Sequence, residues 1–253
     1  MQPLTMQTAV LSEAGPRENN EDAVCVSPRL VAVADGVGGA AAGEVASGLA
    51  ARKMLALAGR RLERSLELEL SATVADANDV IEFVVSCDPA LAGMGTTLTA
   101  VALSNDGDYL IANVGDSRTY LLRGGRLQRL TRDQSLVQAL IDRGSLSEEE
   151  ARRHPQRSVV LEALDGVRRA LPPVQSVKAR AGDRLLLCSD GVSDYLSDDQ
   201  IALTLAIADA GVAVRELARL ALEHGGRDNV TAVIADIVVR TDPREGWLDY
   251  LTA

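Results

Sequence analysis

The chain has 253 residues, of which 47% are hydrophobic and only 2% aromatic, and its formal net charge is -10. That length can bury one large core without requiring a second domain. The scarcity of aromatics argues against base-stacking surfaces for single-stranded nucleic acid, and the negative charge against nonspecific binding to a phosphate backbone, so no nucleic-acid partner is expected.

Strands are predicted over 5–10, 23–27 and 30–34, around a turn-rich segment, Gly15-Pro16-Arg17-Glu18-Asn19-Asn20. The Gly/Ala-rich stretch 36–43 opens a helix over 44–58. A second helix is predicted from about Leu62 to Val85, with Leu62, Leu66, Leu70, Val74, Ala77 and Ile81 on one stripe. Residues 96–103, 109–114 and 119–122 read as strands, and Gly124-Gly125 turns the chain back through 126–130. Two short helices follow over 135–143 and 147–153, the latter with a capping-box pattern at Ser147 and Glu150. Segment 154–173 has no firm periodicity. Strands over 174–179 and 183–188, helices over 201–208 and 212–224, and a last strand over 230–239 complete the pattern. The tail with Pro243, Gly246 and Trp247 is read as loosely docked or as part of a linker. Hairpin-clustered strands with helices in adjacent pairs favour layered α+β over alternating βαβ winding.

Four acidic clusters punctuate this pattern: Asn20-Glu21-Asp22, Asp35-Gly36, Ser189-Asp190-Gly191 and Arg227-Asp228-Asn229. Asp35 and Asp190 follow continuous apolar runs, and Asp228 precedes one. A carboxylate at the end of a buried strand is costly unless paired, hydrogen-bonded or metal-bound. Several such ends from distant parts of one chain point to a shared divalent-cation cluster. Oxygen-rich sites select magnesium, manganese or calcium, and two such ions make a hydrolytic centre.

In order and content these segments resemble the metal-dependent Ser/Thr protein phosphatases of type 2C, in their compact bacterial form. The matching residues are Arg17-Glu18-Asn19-Asn20-Glu21-Asp22, Asp35-Gly36-Val37-Gly38-Gly39, Gly95-Thr96-Thr97, Gly115-Asp116-Ser117-Arg118, Leu130-Thr131-Arg132-Asp133, Ser189-Asp190-Gly191 and Asp228-Asn229. The resemblance implies a four-layer α-β-β-α sandwich with two central antiparallel sheets, formed as one domain over 1–253 with its core at about 5–240. It also implies hydrolysis of phosphoserine and phosphothreonine in proteins by water activated between two Mn2+ or Mg2+ ions. Asp35 would bridge the ions, Gly36 would offer its carbonyl to one, and Asp190 and Asp228 would complete the other. Either Glu21 or Asp22 would face the metals, often through water. Asp116 would hold a third, weaker ion or simply shape a hairpin turn. Arg17 would clamp the phosphoryl group through its planar fork. A phosphorylated protein substrate, an opposing Ser/Thr kinase and a monomeric state are implied. Gly95-Thr96-Thr97 is read as structural strand entry.

Two departures from the family pattern stand out. Val37 occupies the position where animal-type members carry a histidine after Asp-Gly, and the family's Thr-x-Asp-His-Ser reads Thr131-Arg132-Asp133-Gln134-Ser135 here. His154 and His224 are read as surface or helix-end residues. Two other readings stay open: a catalytically degenerate module that binds phosphoproteins, and a dimetal hydrolase of small phosphoesters. Between Arg123 and Arg169 there are ten arginines against seven Asp or Glu, which reads either as a solvated surface or as a phosphopeptide-attracting patch beside the cleft. Cys25, Cys87 and Cys188 show no metal spacing, Cys25 and Cys188 reading as small core residues. No apolar run approaches membrane-spanning length and no basic-then-apolar start follows Met1, so a cytoplasmic protein without membrane association is expected.

Overall fold

The computed structural model describes residues 3–37, 42–60, 65–167 and 172–240. Gly38, Gly39, Leu62, Arg169 and the tail with Trp247 lie outside the described residues. Strand β1 (Leu4–Glu13) is followed by β2 (Asp22–Val26), β3 (Leu30–Val37) and two helices, α1 (Gly43–Ala58) and α2 (Leu66–Cys87). Then come β4 (Gly95–Thr96), β5 (Leu98–Leu103), β6 (Asp108–Val114), β7 (Arg118–Arg123) and β8 (Arg126–Arg129). Helices α3 (Leu136–Asp142) and α4 (Glu148–Arg152) precede β9 (Gln175–Lys178) and β10 (Arg184–Cys188). The chain closes through α5 (Asp190–Ser193), α6 (Asp198–Leu205), α7 (Ala210–Glu223) and β11 (Val230–Val239).

Two antiparallel sheets form. One has the order β1-β11-β10-β7-β8, the other β2-β3-β5-β6-β9 with β4 added beside β3. Their central strands are continuous apolar runs because both faces are covered. In β3, Val31 and Val33 point between the sheets, while Leu30, Ala32 and Ala34 point at α1 and α2. In β10, Leu185 and Leu187 point between the sheets, and Leu186 and Cys188 meet the α5–α7 side. The period-2 alternation thus serves three apolar layers at once, and the order helix, sheet, sheet, helix is the expected α+β sandwich. Small residues on α1 (Ala46, Ser47, Ala50 and Ala51, all buried) let that helix lie close to β2 and β3. Such packing needs few aromatics, in keeping with the composition.

Several boundaries moved: β1 is longer than expected (Leu4–Glu13), and α6 (Asp198–Leu205) and α7 (Ala210–Glu223) begin earlier. The predicted strand 96–103 breaks at Thr97 into β4 and β5. Strand β3 runs on past Asp35 through Val37, because Gly36 and Val37 pair with Thr96 and Gly95. Helix α5 has no counterpart in the sequence reading. Segment 154–167 is irregular, as read, yet main-chain bonds pin it: Leu161 N–H to Gln134 O (2.8 Å), Leu136 N–H to Val159 O (2.9 Å), and a reciprocal pair between Leu164 and Thr96 (2.8 and 3.0 Å). The Ser147–Glu150 capping box is present.

The sandwich has a chemically quiet end. There Arg184 forks onto Asp236 (2.5 and 2.7 Å) and donates to the carbonyls of Leu205, Ile207 and Ala208, tying the end of α6 to the sheet. Beside it, buried Asp183 accepts from Tyr109 (2.7 Å) and from both arms of Arg123 (2.7 and 2.6 Å). Every charge in this cluster has its partner. The other end of the same strands carries the acidic clusters.

Candidate metal centre

Asp35 sits near the end of β3, directly across from Asp22 on β2. Its main chain is held from three sides: its N–H donates to Thr97 Oγ1 (3.1 Å), and its carbonyl accepts from Thr97 N–H (2.8 Å) and Thr96 Oγ1 (3.0 Å). Asp190 opens α5 immediately after β10, and Asp228 lies two residues before β11 begins. Asp116 occupies the turn between β6 and β7. Four segments far apart in sequence therefore deliver carboxyl groups to one end of the two sheets.

Two glycines make this convergence possible. A Cβ on Gly36 would lie 2.5 Å from the Gly43 carbonyl carbon and 2.6 Å from Glu21 O, so α1 begins in direct backbone contact with the strand that carries Asp35. A Cβ on Gly191 would lie 1.9 Å from Asn229 O, and only a bare backbone lets the Asp190 and Asp228 segments touch. Gly36, expected to offer its carbonyl to an ion, also seats the helix.

The electrostatics of the cluster penalise full ionisation. Burial, followed by the charges of Asp190, Asp22, Asp116 and Asp228, pushes the Asp35 carboxyl well above the usual carboxylate range. Asp190 is pushed the same way by burial, then by Asp194, Asp116, Asp228 and Asp22. Asp116 is pushed up to about 7 by burial and by Asp133 and Asp194, with Arg118 opposing. Asp22 is pushed up to about 6, chiefly by burial, with the hydroxyls of Thr231 and Ser189 pulling it back. Its Oδ2 accepts from Ser189 Oγ (3.0 Å), whereas its Oδ1 is buried with no hydrogen-bond partner. An oxygen-only donor set with an orphaned carboxylate oxygen and mutually repelling neighbours fits a hard divalent cation.

The two acidic residues of the first cluster separate clearly. Asp22 points into the buried group with Asp35, Asp190 and Asp228. Glu21 lies toward α1, its Oε2 packed where a Cβ on Gly43 would be, and it feels Glu44 before Asp228. Among the described residues no three such side chains close on one point as they would around a bound ion. Asp228 explains part of this: its Oδ2 accepts from Arg17 Nη2 (2.9 Å) and its Oδ1 from the Asn229 N–H (2.8 Å). Arg17 also donates through Nε to Arg227 O (3.0 Å). The predicted phosphate clamp thus rests on the rim of the acidic cluster, paired with one of its members.

Several residues that shape the site carried no role in the sequence reading. Thr96 and Thr97, read as strand entry, anchor Asp35. Ser189 links the sheets, donating to Asp22 while accepting the Thr231 N–H (3.2 Å). Asn229 accepts the Glu21 N–H (2.9 Å) and donates to the carbonyls of Ala14 and Asn19 (3.0 and 2.7 Å). Asp194, at the end of α5, is held by Arg157 Nε (3.3 Å). Arg118 grips Asp133 through Nε and Nη2, at 3.0 and 2.6 Å. The signals were present as Ser-Asp-Gly and Asp-Asn motifs, but nothing in a single chain says which hydroxyl or amide faces which segment. The two histidines lie away from the cluster. His224 caps the end of α7 and contacts Gln200, and His154 accepts the Gln156 N–H.

Gln134, at the unusual position, is a staple. Its Oε1 accepts the Gly115 N–H (2.7 Å), its own N–H donates to Gly115 O (3.0 Å), and its carbonyl takes Leu161 N–H. It joins the Asp116 turn to the start of the 131–167 segment. Gln134→Ala is expected to destabilise the fold by about 1 kcal/mol, since it strips the acceptor from a half-buried N–H. A urea midpoint indistinguishable from wild type would show that water replaces the amide there.

The arginine-rich segment does not all lie beside the cleft. Arg123 belongs to the opposite end, bound to Asp183, because the β7–β8 hairpin carries it the length of the sheet. Arg153 pairs with Glu149 on the outside of α4 (3.2 Å), and Arg132 pairs with Asp142. Of its members, Arg129, Arg152 and Arg157, with Arg118 from just before the segment, do line a cavity of about 200 Å³ that shares Asp116 and Asp190 with the acidic cluster.

With this geometry in hand, comparison with known proteins is specific. The protein phosphatase 2C family pattern matches residues 17–233. The chain is 45% identical over 236 residues to serine/threonine protein phosphatase PstP of Mycobacterium tuberculosis, covering 93% of this chain and 46% of that protein. It therefore spans about half the length of that curated relative. It is 35% identical over 216 residues to serine/threonine phosphatase stp of Listeria monocytogenes, covering 82% of this chain and 84% of that protein. The crystal structure of the catalytic domain of PstP in complex with two manganese ions is similar to it with a TM-score of 0.86 at 43% identity, covering 93% of this chain and 99% of that one.

Proposed function

The chain belongs to the protein phosphatase 2C family, and on that premise we propose that it is a metal-dependent phosphatase of phosphoserine and phosphothreonine in proteins. The observation that carries this reading is the convergence of Asp35, Asp190, Asp228, Asp22 and Asp116 at one end of the sandwich, the first two raised by burial and then by neighbouring aspartates. Two manganese or magnesium ions, held by Asp35 with the Gly36 carbonyl and by Asp190 with Asp228, would supply an acidified water and neutralise phosphoryl charge. Asp22, fixed by Ser189, offers its unpaired Oδ1 to the same group, and Asp116 offers a carboxyl for a weaker third ion. The raised Asp35 and Asp190 carboxyls support this, because a bound cation would take the place of the protons that burial favours on them.

Arg17 contributes a planar fork at the rim, suited to two phosphoryl oxygens at once. Cys25 and Cys188 are buried in apolar layers and Cys87 is exposed at a helix end, so a cysteine nucleophile has no context here. With Val37 where a histidine could stand, and both histidines remote, no imidazole of the described residues reaches the leaving alcohol. We take residues 1–253 as one phosphatase domain acting as a monomer in the cytoplasm on a phosphoprotein made by an opposing Ser/Thr kinase. Among the described residues no helix is long and apolar enough to cross a membrane.

The direct test is release of phosphate from a phosphothreonine peptide by the purified chain. We expect turnover with manganese and none after chelation. Turnover that survives exhaustive chelation would remove the metal from the mechanism; a preference for sugar phosphates or nucleotides over peptide would move the substrate class.

A further inference from the structure

We propose that Arg152, supported by Arg129, recognises an acidic side chain flanking the phosphorylated residue, so that the site selects acidic phosphopeptides. This rests on the phosphatase reading and names its substrate preference. The cavity beside the acidic cluster is lined by Asp116 and Asp190 together with four arginines, two of which face the lining carboxylates Asp133 and Asp194 as partners. Its volume of about 200 Å³ is below the ~300–1,000 Å³ of small-molecule sites, and suits one side chain of a bound peptide.

The four arginines differ in what they have left to give. Arg118 is spent on Asp133, which accepts from its Nε (3.0 Å) and its Nη2 (2.6 Å). Arg157 is held by Asp194. Arg129 makes only long contacts, 3.3 Å to Gln138 Oε1 and 3.7 Å to Asp133. Arg152 is exposed and, among the described residues, has no carboxylate within ion-pair distance, although Glu148 stands one helical turn before it on α4. The cavity therefore offers one unspent guanidinium and one half-spent one, and it is shared with Asp116 and Asp190, carboxyl groups that would hold the metal ions. Glu148 and Asp198 also line it and oppose an incoming anion. Both sit in the first turns of helices, where backbone N–H groups offset part of their charge. A peptide carboxylate would take the place at Arg152 that Glu148 leaves unfilled.

The experiment compares three substrates at saturating manganese: a phosphothreonine peptide flanked by glutamates, the same peptide with glutamines, and a small aryl phosphate. Equilibrium binding of both peptides is measured in parallel. Wild type should favour the glutamate peptide in kcat/KM, with the preference fading as salt rises, because exposed charges are screened beyond about 8–10 Å. Arg152→Ala should cut the glutamate-to-glutamine ratio about 2- to 5-fold, the range for an exposed ion pair, and Arg129→Ala by less. Glu148→Gln should raise the ratio, and Arg153→Ala, which removes the outward-facing neighbour, should leave it where it was. The proposal is overturned if wild type shows no preference, if Arg153→Ala acts like Arg152→Ala, or if Arg152→Ala lowers aryl phosphate turnover by the same factor. Absence of hydrolysis of all three substrates alongside Arg152-dependent binding of the glutamate peptide would leave the recognition site standing and overturn the phosphatase reading instead.

Discussion

Asp35→Asn should lose phosphatase activity by at least about 1,000-fold and yet fold more stably than wild type in the absence of metal at neutral pH. The first half follows from position, since Asp35 lies among Asp190, Asp22, Asp116 and Asp228 and the loss of a preorganised charged group at a reacting centre costs about 4 kcal/mol. The second half follows from the sign of its shift. Burial and four neighbouring aspartates raise its folded pKa well above 3.8. A carboxyl raised on folding binds a proton more tightly in the native state than in the unfolded chain, so stability falls as pH climbs from the unfolded value toward the folded one. Asp116 at about 7 and Asp22 at about 6 act in the same direction. The metal-free protein should therefore lose stability between about pH 4 and pH 7. Asp183, whose carboxyl is held low against its burial by Arg123 and Tyr109, protects the other side, losing its contribution only as pH falls below about 4.

Asp35→Asn removes both a buried charge and its repulsion of Asp190 and Asp22, so its advantage should be largest near pH 7.5 and shrink toward pH 4.5. Manganese should then reverse the ranking, because binding to the native state stabilises wild type by mass action and the variant far less. Denaturant unfolding at the two pH values, with and without manganese, reads all of this beside the activity. Near-wild-type turnover at saturating manganese would sink the dimetal assignment. A variant less stable than wild type at both pH values would mean that the carboxyl serves the fold.

The acidic positions were legible because each couples two independent signals, an apolar run that must be buried on both faces and a carboxyl beside a turn residue at its end. Strand β3 shows the limit of that reading. The expected strand stops at Ala34 and the stretch from Gly36 is expected to open a helix, yet the strand continues through Val37, since the pairing with Thr96 and Gly95 comes from a segment about sixty residues away. The same non-local pairing hid Thr96 and Thr97 as the anchors of Asp35. Helix α5 is four residues long, too short for a 3.6-residue period to emerge, and its existence depends on Gly191 meeting Asn229. Charge counting failed at Arg123 for a related reason: residues adjacent in sequence can sit at opposite ends of a hairpin. Glu21 and Asp22 could not be ranked from their order alone. Their separation depends on β2 and β3 pairing in the register that sets Asp22 opposite Asp35, which turns Asp22 inward.

Arg17→Ala should lower kcat/KM by about 30- to 1,000-fold, or about 2–4 kcal/mol of transition-state stabilisation, while manganese binding persists. The guanidinium is aimed rather than buried. Its side chain is 58% exposed and held in place by Asp228 Oδ2 and Arg227 O. An exposed pair of that kind adds only about 0–1 kcal/mol to stability, so the unfolding midpoint should barely move. Two of its donors are engaged on the protein side, which leaves the others of an exposed fork for a phosphoryl group. Arg17→Lys should recover little, because a point ammonium cannot make two parallel bonds to phosphoryl oxygens. Removing the cation beside Asp228 leaves that carboxylate more available, so the affinity for manganese should hold or rise. Calorimetry of manganese binding, run beside peptide kinetics, separates the two roles. Weaker manganese binding with unchanged kcat/KM at saturating metal would make Arg17 a brace for Asp228 and leave the phosphoryl group to other donors.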